Sequence, residues 1–316
     1  MTMPMNQGRF PELVRKGYDS FYAEVTDELH QKEQLKDTLY TQKSIDSAFY
    51  EKNQVSGVPD IPRFNGALTY VDVAPGWGAR IEPAEYAVAV ELERKIWLNN
   101  LYDVMKDWAG SLAVASHRTK EKAAIMGYAN LNSAAFDFMS WNEEGVPIAS
   151  TSHATKNDYV VYSGLSQPGN SNLGTSAFNP TSVEACRILM RGFRGLNGEI
   201  LYINPDGFIG PTTYDQRFEE VTATPLGLYD TTHTVNVQAN RKWQYKTSQY
   251  FNDYSTKNWV MVDWTLLKKL ALWIVRLEDE SGAKIDFETY RLKFSLYSYW
   301  GYGFTGWQAF YFNQVS

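Results

Sequence analysis

Apolar residues recur at helical spacing in two early stretches. Leu13, Phe21, Val25 and Leu29 fall on one side of a helix, with Glu24, Asp27 and Glu28 between them and Lys32 and Glu33 just after. The first ~40 residues therefore read as helical, either as a free amphipathic arm or as a surface helix packed on the main body. Met105, Trp108, Leu112, Ala115, Thr119, Ala123 and Met126 fall three or four apart, with Lys106, Arg118, Lys120, Glu121 and Lys122 on the opposite side. This predicts a helix from Leu101 to Asn130, about 40 Å long, enough to be the backbone of a flat molecule. Between these stretches, Ile45 to Leu92 reads as two extended arms around a Gly/Pro-rich middle containing Gly57, Pro59, Pro62, Gly66, Pro75, Gly76 and Gly78. The second arm, Tyr86 to Leu92, partly alternates. Phe64, Tyr70 and Trp77 have little local partner to bury against. A hairpin packed on another subunit would cover them.

The second half is punctuated more sharply. Asn157 to Pro180 is rich in Ser, Gly and Asn and reads as a long irregular loop. Thr181 and Glu184 have capping-box spacing. Val183, Cys186, Met190 and Phe193 then line one helix face, and Gly195 is placed to end it in a left-handed turn. Ile200 to Ile203 reads as a short buried strand stopped by Asn204-Pro205-Asp206-Gly207. Pro211 opens a helix whose apolar side is Tyr214, Phe218 and Val221. Val235–Val237 and Trp259–Val262 read as strands, and Leu266–Leu277 fits helix and strand equally. From Phe287 to Phe312, Tyr290, Leu292, Phe294 and Leu296 alternate, and a turn at Gly301-Tyr302-Gly303 predicts two closing strands.

Composition narrows the function classes. The chain has 316 residues, ample for a sizeable core. Aromatics make 15% of it, which tilts toward sheets and wet protein–protein contacts. Thirty basic against 36 acidic residues give a net charge of −6, and no basic run exists, which argues against avid nucleic-acid binding. The single cysteine, Cys186, permits neither an intrachain disulfide nor a Cys-rich zinc site and reads as a small core residue. The N-terminus lacks a signal-peptide core. No apolar stretch is long enough to span a membrane.

The residues offer no catalytic, cofactor or metal site. His30, His117, His153 and His233 show no paired ligand spacing. Ser150, His153 and Asp158 are the right types for a triad but too close in sequence. Gly301, Gly303 and Gly306 spell a dinucleotide pattern, but too little chain follows for the helix and acid it requires, so a turn is expected. Glu143-Glu144, Glu219-Glu220 and Glu278-Asp279-Glu280 read as solvated acids rather than a hydrolytic dyad. The Trp residues keep a sugar-stacking role open, with Trp77 and Trp307 as its platforms.

Four segments, in order, resemble tailed-phage major capsid proteins. Glu143 to His153 looks like the D-G-x-x-L-x-S-T-x-H segment of Mu-like phage major head subunits, with Ala154 where the family has Pro. Ile200 to Phe208 is similar to the strand followed by N-P-x-x-W, with Phe208 in place of Trp. Glu93 to Asn130 resembles the segment entering the family's spine helix, and Trp259 to Asp263 its W-Y-L-I-D strand. The resemblance implies an α+β, Hong Kong phage-type capsid fold. It maps an N-terminal arm to 1–44 and an extended E-loop hairpin to 45–94. A P domain with the spine helix falls at 95–198, an A domain at 199–275, and return strands of the P domain at 276–316. It implies a non-enzymatic major capsid protein that self-assembles as hexamers and pentamers into an icosahedral shell around double-stranded DNA. The shell would be part of the virion, made in the host cytoplasm, with no cofactor and no membrane. Partners would be further copies, with separate scaffold, portal and decoration proteins, and DNA contacted weakly. Inter-subunit contacts are expected at Phe64, Tyr70 and Trp77 of the hairpin and Phe21 and Leu29 of the arm. Some family members crosslink through Lys and Asn; Lys52 lies in the hairpin, but no partner matches. The competing readings are another virion component (tail tube or minor head protein) and a β-rich carbohydrate-binding protein.

Overall fold

The computed structural model describes residues 10–30, 34–55, 61, 63–68, 70, 75–93, 95, 102–136, 138–153, 170–195, 199–223, 236–286, 288–289 and 291–316. Asp158, His233, Val235, Tyr290, most of the Asn157–Pro180 loop and most of the hairpin tip lie outside them.

Among the described residues, three sheets organise the chain. The first has the strand order β1 (Thr41–Ser44), β10 (Ala271–Ile285), β11 (Leu292–Phe304) and β4 (Ala84–Leu92). The second has the order β6 (Leu173–Gly174), β12 (Phe310–Asn313), β9 (Trp259–Val262), β7 (Gly207–Pro211) and β8 (Gln244–Ser248). The third joins β2 (Tyr50–Val55), β3 (Pro75–Ile81) and β5 (Ser140–Asn142). Among the described residues the helices include α1 (Phe10–His30), α2 (Leu35–Leu39), α3 (Tyr102–Ala129), α4 (Pro180–Arg191), α5 (Asp215–Ala223) and α6 (Trp264–Leu270). Among the described residues, no helix is long and apolar enough to cross a membrane.

The long helix lies within a residue of its predicted bounds, but its buried stripe is broader than the predicted one. Ala109, Leu112, Ala113, Ala123, Ala124, Ile125 and Tyr128 are buried, whereas Thr119 is exposed. The cause is that α3 is covered from two sides. Tyr22 of α1 packs with Ala113 and Leu296, and Tyr40 and Leu39 pack with Tyr128. Alanines leave no side chain long enough to hold these elements apart. Lys120 and Glu121, placed by the pattern on the side opposite the apolar stripe, are therefore drawn inward. Glu121 accepts from the amides of Leu35 and Lys36, at 3.1 and 3.4 Å, and so holds the first turn of α2. Burial pushes its carboxyl up, and these amides offset part of that.

Elsewhere the structure corrects several local expectations. The predicted strand at Ile200–Ile203 is an irregular connection in which Ile200 and Tyr202 are 63% and 98% exposed while Ile203 is buried. The buried strand is β7, just after it. Val237 opens a 3-10 turn rather than continuing a strand. Helix α4 starts two residues early: Asn179 caps it by accepting from the Ser182 amide, and Pro180 fills the first turn. The expected capping acid, Glu184, instead binds Arg187, which holds its carboxyl down at about 2. The helix ends at Gly192 in an ordinary helical conformation, not at Gly195. The ambiguous Leu266–Leu277 stretch divides at Ala271 into the end of α6 and the start of β10.

Gly301 and Gly303 make no turn. Both lie inside β11, opposite Ile274 and Leu272 of β10. A Cβ at Gly301 would sit 2.8 Å from the Pro83 backbone, and one at Gly303 would sit 2.5 Å from the Ser140 Cβ. The corner where Ile81 pairs with Ser140 rests on this strand, and only glycine lets it come so close.

Candidate assembly surface

The third sheet builds a projecting hairpin. β2 runs antiparallel to β3 from Tyr50↔Ile81 to Val55↔Pro75, with a register shift between Asn53 and Val55, where Gly76 and Trp77 of β3 stand opposite Gln54. The strand returning from the tip is thus β3, within the Gly/Pro-rich middle. The expected second arm, Tyr86–Leu92, belongs to β4 and pairs with β11.

Period-two alternation anchors β2. Tyr50, Lys52 and Gln54 are half-buried, while Glu51, Asn53 and Val55 face out. The Tyr50 ring lies under the Lys43 ammonium at 4.1 Å. Lys52 Nζ donates to the Lys269 carbonyl at 3.2 Å, and Gln54 Nε2 donates to the Thr305 carbonyl at 2.9 Å. Behind the hairpin, Glu143 accepts from the Gly78 amide at 3.0 Å, and its own amide donates to the Gly78 carbonyl at 2.9 Å. The base is held by the body of the chain, and apolar side chains beyond it stand exposed. Val55 is 64%, Ile61 93%, Phe64 69%, Leu68 75% and Tyr70 93% exposed. Trp77, on β3, is half-buried.

The arm residues are placed differently. Phe21 packs beside a buried cluster of Leu92, Ala109, Leu112, Leu292 and Phe294, and Leu29 is half-buried. Helix α1 is therefore a packed helix in this chain, the second of the two arrangements its pattern allowed.

Two polar clusters escaped the sequence reading, because their members meet only through the fold. Asp279 takes 2.7 Å from Lys120 Nζ, 2.5 Å from the Ser116 hydroxyl and 3.3 Å from the Tyr22 hydroxyl. Burial pushes its carboxyl up, but Lys120 and the two hydroxyls outweigh this and hold it below the usual carboxylate range. Glu144, read as a solvated acid, has a side chain only 2% exposed and meets His153 Nδ1 at 3.1 Å. The only sequence signal for either cluster was an acid beside an apolar run.

The other expected sites resolve simply. Trp307 is buried and stacked on His153 at 4.3 Å, so it offers no face to a sugar. Among the described residues, no group of three potential ligands could hold a metal. Cys186 is buried beside Asn313, and burial pushes its thiol up to about 11. A thiol so protonated and enclosed is a poor nucleophile. Ellman's reagent is expected to leave it unmodified in the native chain and to modify it fully in denaturant. Rapid native labelling would show that the α4–β12 packing opens readily.

No protein-family model matches the chain, and no curated protein matches it. Solved structures do. The procapsid of bacteriophage JBD30 aligns over 99% of this chain and 77% of its own, with TM-score 0.52 and 10% identity. The capsid of the native GTA particle aligns over 90% of this chain and 91% of its own, with TM-score 0.53 and 9% identity. The mature capsid of bacteriophage PhiM1 aligns over 90% and 88%, with TM-score 0.54 and 10% identity. At such identities the likeness is one of fold. The chain has the Hong Kong phage-type capsid fold, in the mixed helix-and-sheet form expected of it.

Proposed function

We propose that this chain is the major capsid protein of a tailed phage, assembling as hexamers and pentamers into a closed icosahedral shell around double-stranded DNA. The observation that carries this reading is the projecting hairpin. Its base is fastened to the body, and it presents five strongly exposed apolar side chains between Val55 and Tyr70. A lone soluble subunit has no use for such a surface, whereas a lattice of copies covers it. The capsid fold supports the same reading, because the solved relatives named above are shell proteins.

In this reading the chain performs no catalysis. Scaffold, portal and decoration proteins are its further partners, DNA is held weakly by an acidic subunit, and synthesis occurs in the host cytoplasm. The motifs from Glu143 to His153 favour the Mu-like branch. The E-loop is 45–94, and within it the β2–β3 ladder spans 50–81. The axial part is 199–275, and the peripheral part joins 95–198 to 276–316. Phe64, Tyr70 and Trp77 touch a neighbouring copy through the hairpin, and Phe21 and Leu29, half-buried on the packed helix α1, touch one through their open sides.

Negative-stain electron microscopy with light scattering on the purified chain, alone and co-expressed with its neighbouring genes, tests this. Closed shells or hexameric and pentameric rings are expected. Tubes would point to a tail component, and a monomer under every condition would overturn the reading.

A further inference from the structure

We propose that Asn65, in the hairpin tip, is a self-modification site. It closes on the Gly66 amide to a succinimide and reopens as aspartate or isoaspartate, so that chains left outside a shell lose their competence to join one.

The chain has two Asn-Gly pairs. Asn197-Gly198 lies outside the described residues, whereas Asn65-Gly66 stands exposed beyond the β2–β3 ladder. Ring closure makes three demands on an asparagine. The next backbone nitrogen must be unshielded, the side chain must be free to turn toward it, and the backbone must be able to follow. Glycine shields its nitrogen least, because it has no Cβ. A Cβ built at Gly66 would meet nothing within 4 Å, and the residue sits at φ +95°, on the left-handed side that glycine visits without strain. Among the described residues, no hydrogen bond holds the Asn65 side chain. The same chain supplies the contrast. Asn170, followed by serine, is held at both ends of its amide by the Arg194 backbone, at 2.9 and 3.1 Å. Asn132, also followed by serine, donates to the Gln314 side chain at 2.8 Å.

The chemistry needs only water. The Gly66 amide gives up its proton to solvent, and its nitrogen attacks Asn65 Cγ. The N–Cγ bond forms, the Cγ–Nδ2 bond breaks, and ammonia leaves with a proton from solvent. Water then adds to one of the two ring carbonyls. Breaking N–Cγ gives aspartate; breaking the bond from nitrogen to the main-chain carbonyl carbon gives isoaspartate. The net change is hydrolysis of an amide to a carboxylate and ammonium, without oxidation or reduction.

Both products alter the tip among its apolar side chains. Phe64 and Leu68, on either side, are 69% and 75% exposed. The new carboxylate offsets the charge of the exposed Arg63 nearby. Isoaspartate also routes the main chain through Cγ, which adds a backbone carbon and shifts Phe64 relative to Leu68. A contact that depends on complementary shape loses its fit. This consequence for assembly rests on the capsid reading; the modification itself does not.

The first test ages the full chain, diluted until light scattering shows no shells, for about two weeks at physiological pH and temperature. Peptide mapping by mass spectrometry then follows each asparagine. Asn65 is expected to convert at least about tenfold faster than Asn132 and Asn170, and about tenfold faster at pH 8 than at pH 7, because the attacking amide must first lose its proton. Conversion no faster than at Asn170, or a rate independent of pH, would overturn the proposal. Asn65→Gln, which must close a larger ring, is expected to leave the position unconverted. The second test concentrates the partly converted pool under assembly conditions and separates shells from free chain by sedimentation. Converted chains are expected to be about tenfold rarer in the shells, and equal content in both fractions would overturn the effect on assembly. If the parent chain forms no shells, that effect falls with the capsid reading, and the peptide map alone decides the modification.

Discussion

Replacing residues 57–73 with a short Gly-Ser linker is expected to abolish closed shells while leaving a folded subunit. The cut falls beyond the last registered pair, Val55↔Pro75, so it leaves the β2–β3 ladder whole. It also spares Gly78 and its bonds to Glu143, and Lys52 and Gln54 with their carbonyl partners. What it removes is Ile61, Phe64, Leu68 and Tyr70, each more than two-thirds exposed in the isolated chain. Fully burying such a side chain is worth about 1.5–3 kcal/mol, and Phe64 and Tyr70 together could cover about 300–500 Å². A standard interface buries about 800 Å² on each partner, so the tip would supply a large part of one contact, repeated around every ring. Because these groups touch little of their own subunit, thermal unfolding is expected to move by only a degree or two. Electron microscopy would count shells, and circular dichroism would confirm the fold. Intact shells would show that the hairpin is not a principal contact.

The elements that could be read from the chain are those whose pattern is set by one dominant burial. Trp259–Val262, buried on both faces, was legible to the residue, and so nearly was α3. The long return strand was legible through the alternation of Leu292, Phe294 and Leu296, all buried. The failures have a common cause in tertiary packing. β7 is a central strand, yet it reads Gly-Phe-Ile-Gly-Pro, because a side chain at Gly207 would collide with the Trp264 indole. Local propensity therefore placed the strand a few residues early, on Ile200–Ile203. Gly301 and Gly303 read as a turn for the same reason: nothing in the local sequence records that Pro83 and Ser140 cross there. The polar clusters were illegible because their partners are far apart in the chain. Lys120 and Asp279 are 159 positions apart, and the side chain fixing His153 from its other edge is 19 residues away. The exposed surface was more legible than either, since Phe64 and Tyr70 stood out as apolar residues in a segment with no core to join.

Asp279→Ala is expected to be the most destabilising single change to a charged residue in the helix–sheet seam. The carboxylate joins three elements: Lys120 and Ser116 from α3, Tyr22 from α1, and its own strand β10. The Lys120 and Asp279 side chains are only 12% and 18% exposed, so solvent screens the pair weakly. Removing the acid leaves Lys120 poorly solvated without its counter-charge, a change that costs about 3–5 kcal/mol in buried pairs. Against a total stability of about 5–15 kcal/mol, that is a large fraction. Replacing both partners, Lys120→Met with Asp279→Leu, removes the stranded charge and should recover much of the loss. The same pair sets an acid limit. Because Asp279 is held below its unfolded value, its contribution is complete above the ordinary aspartate range near pH 4. It is lost as pH falls through the lower, folded-state value, where the unfolded chain binds the proton more readily. Stability of the parent chain should therefore drop below about pH 4, and the gap between parent and Asp279→Ala should narrow there. Urea melts at pH 7 and pH 3 measure both effects. Equal gaps at the two pH values would show that the pair contributes packing rather than charge.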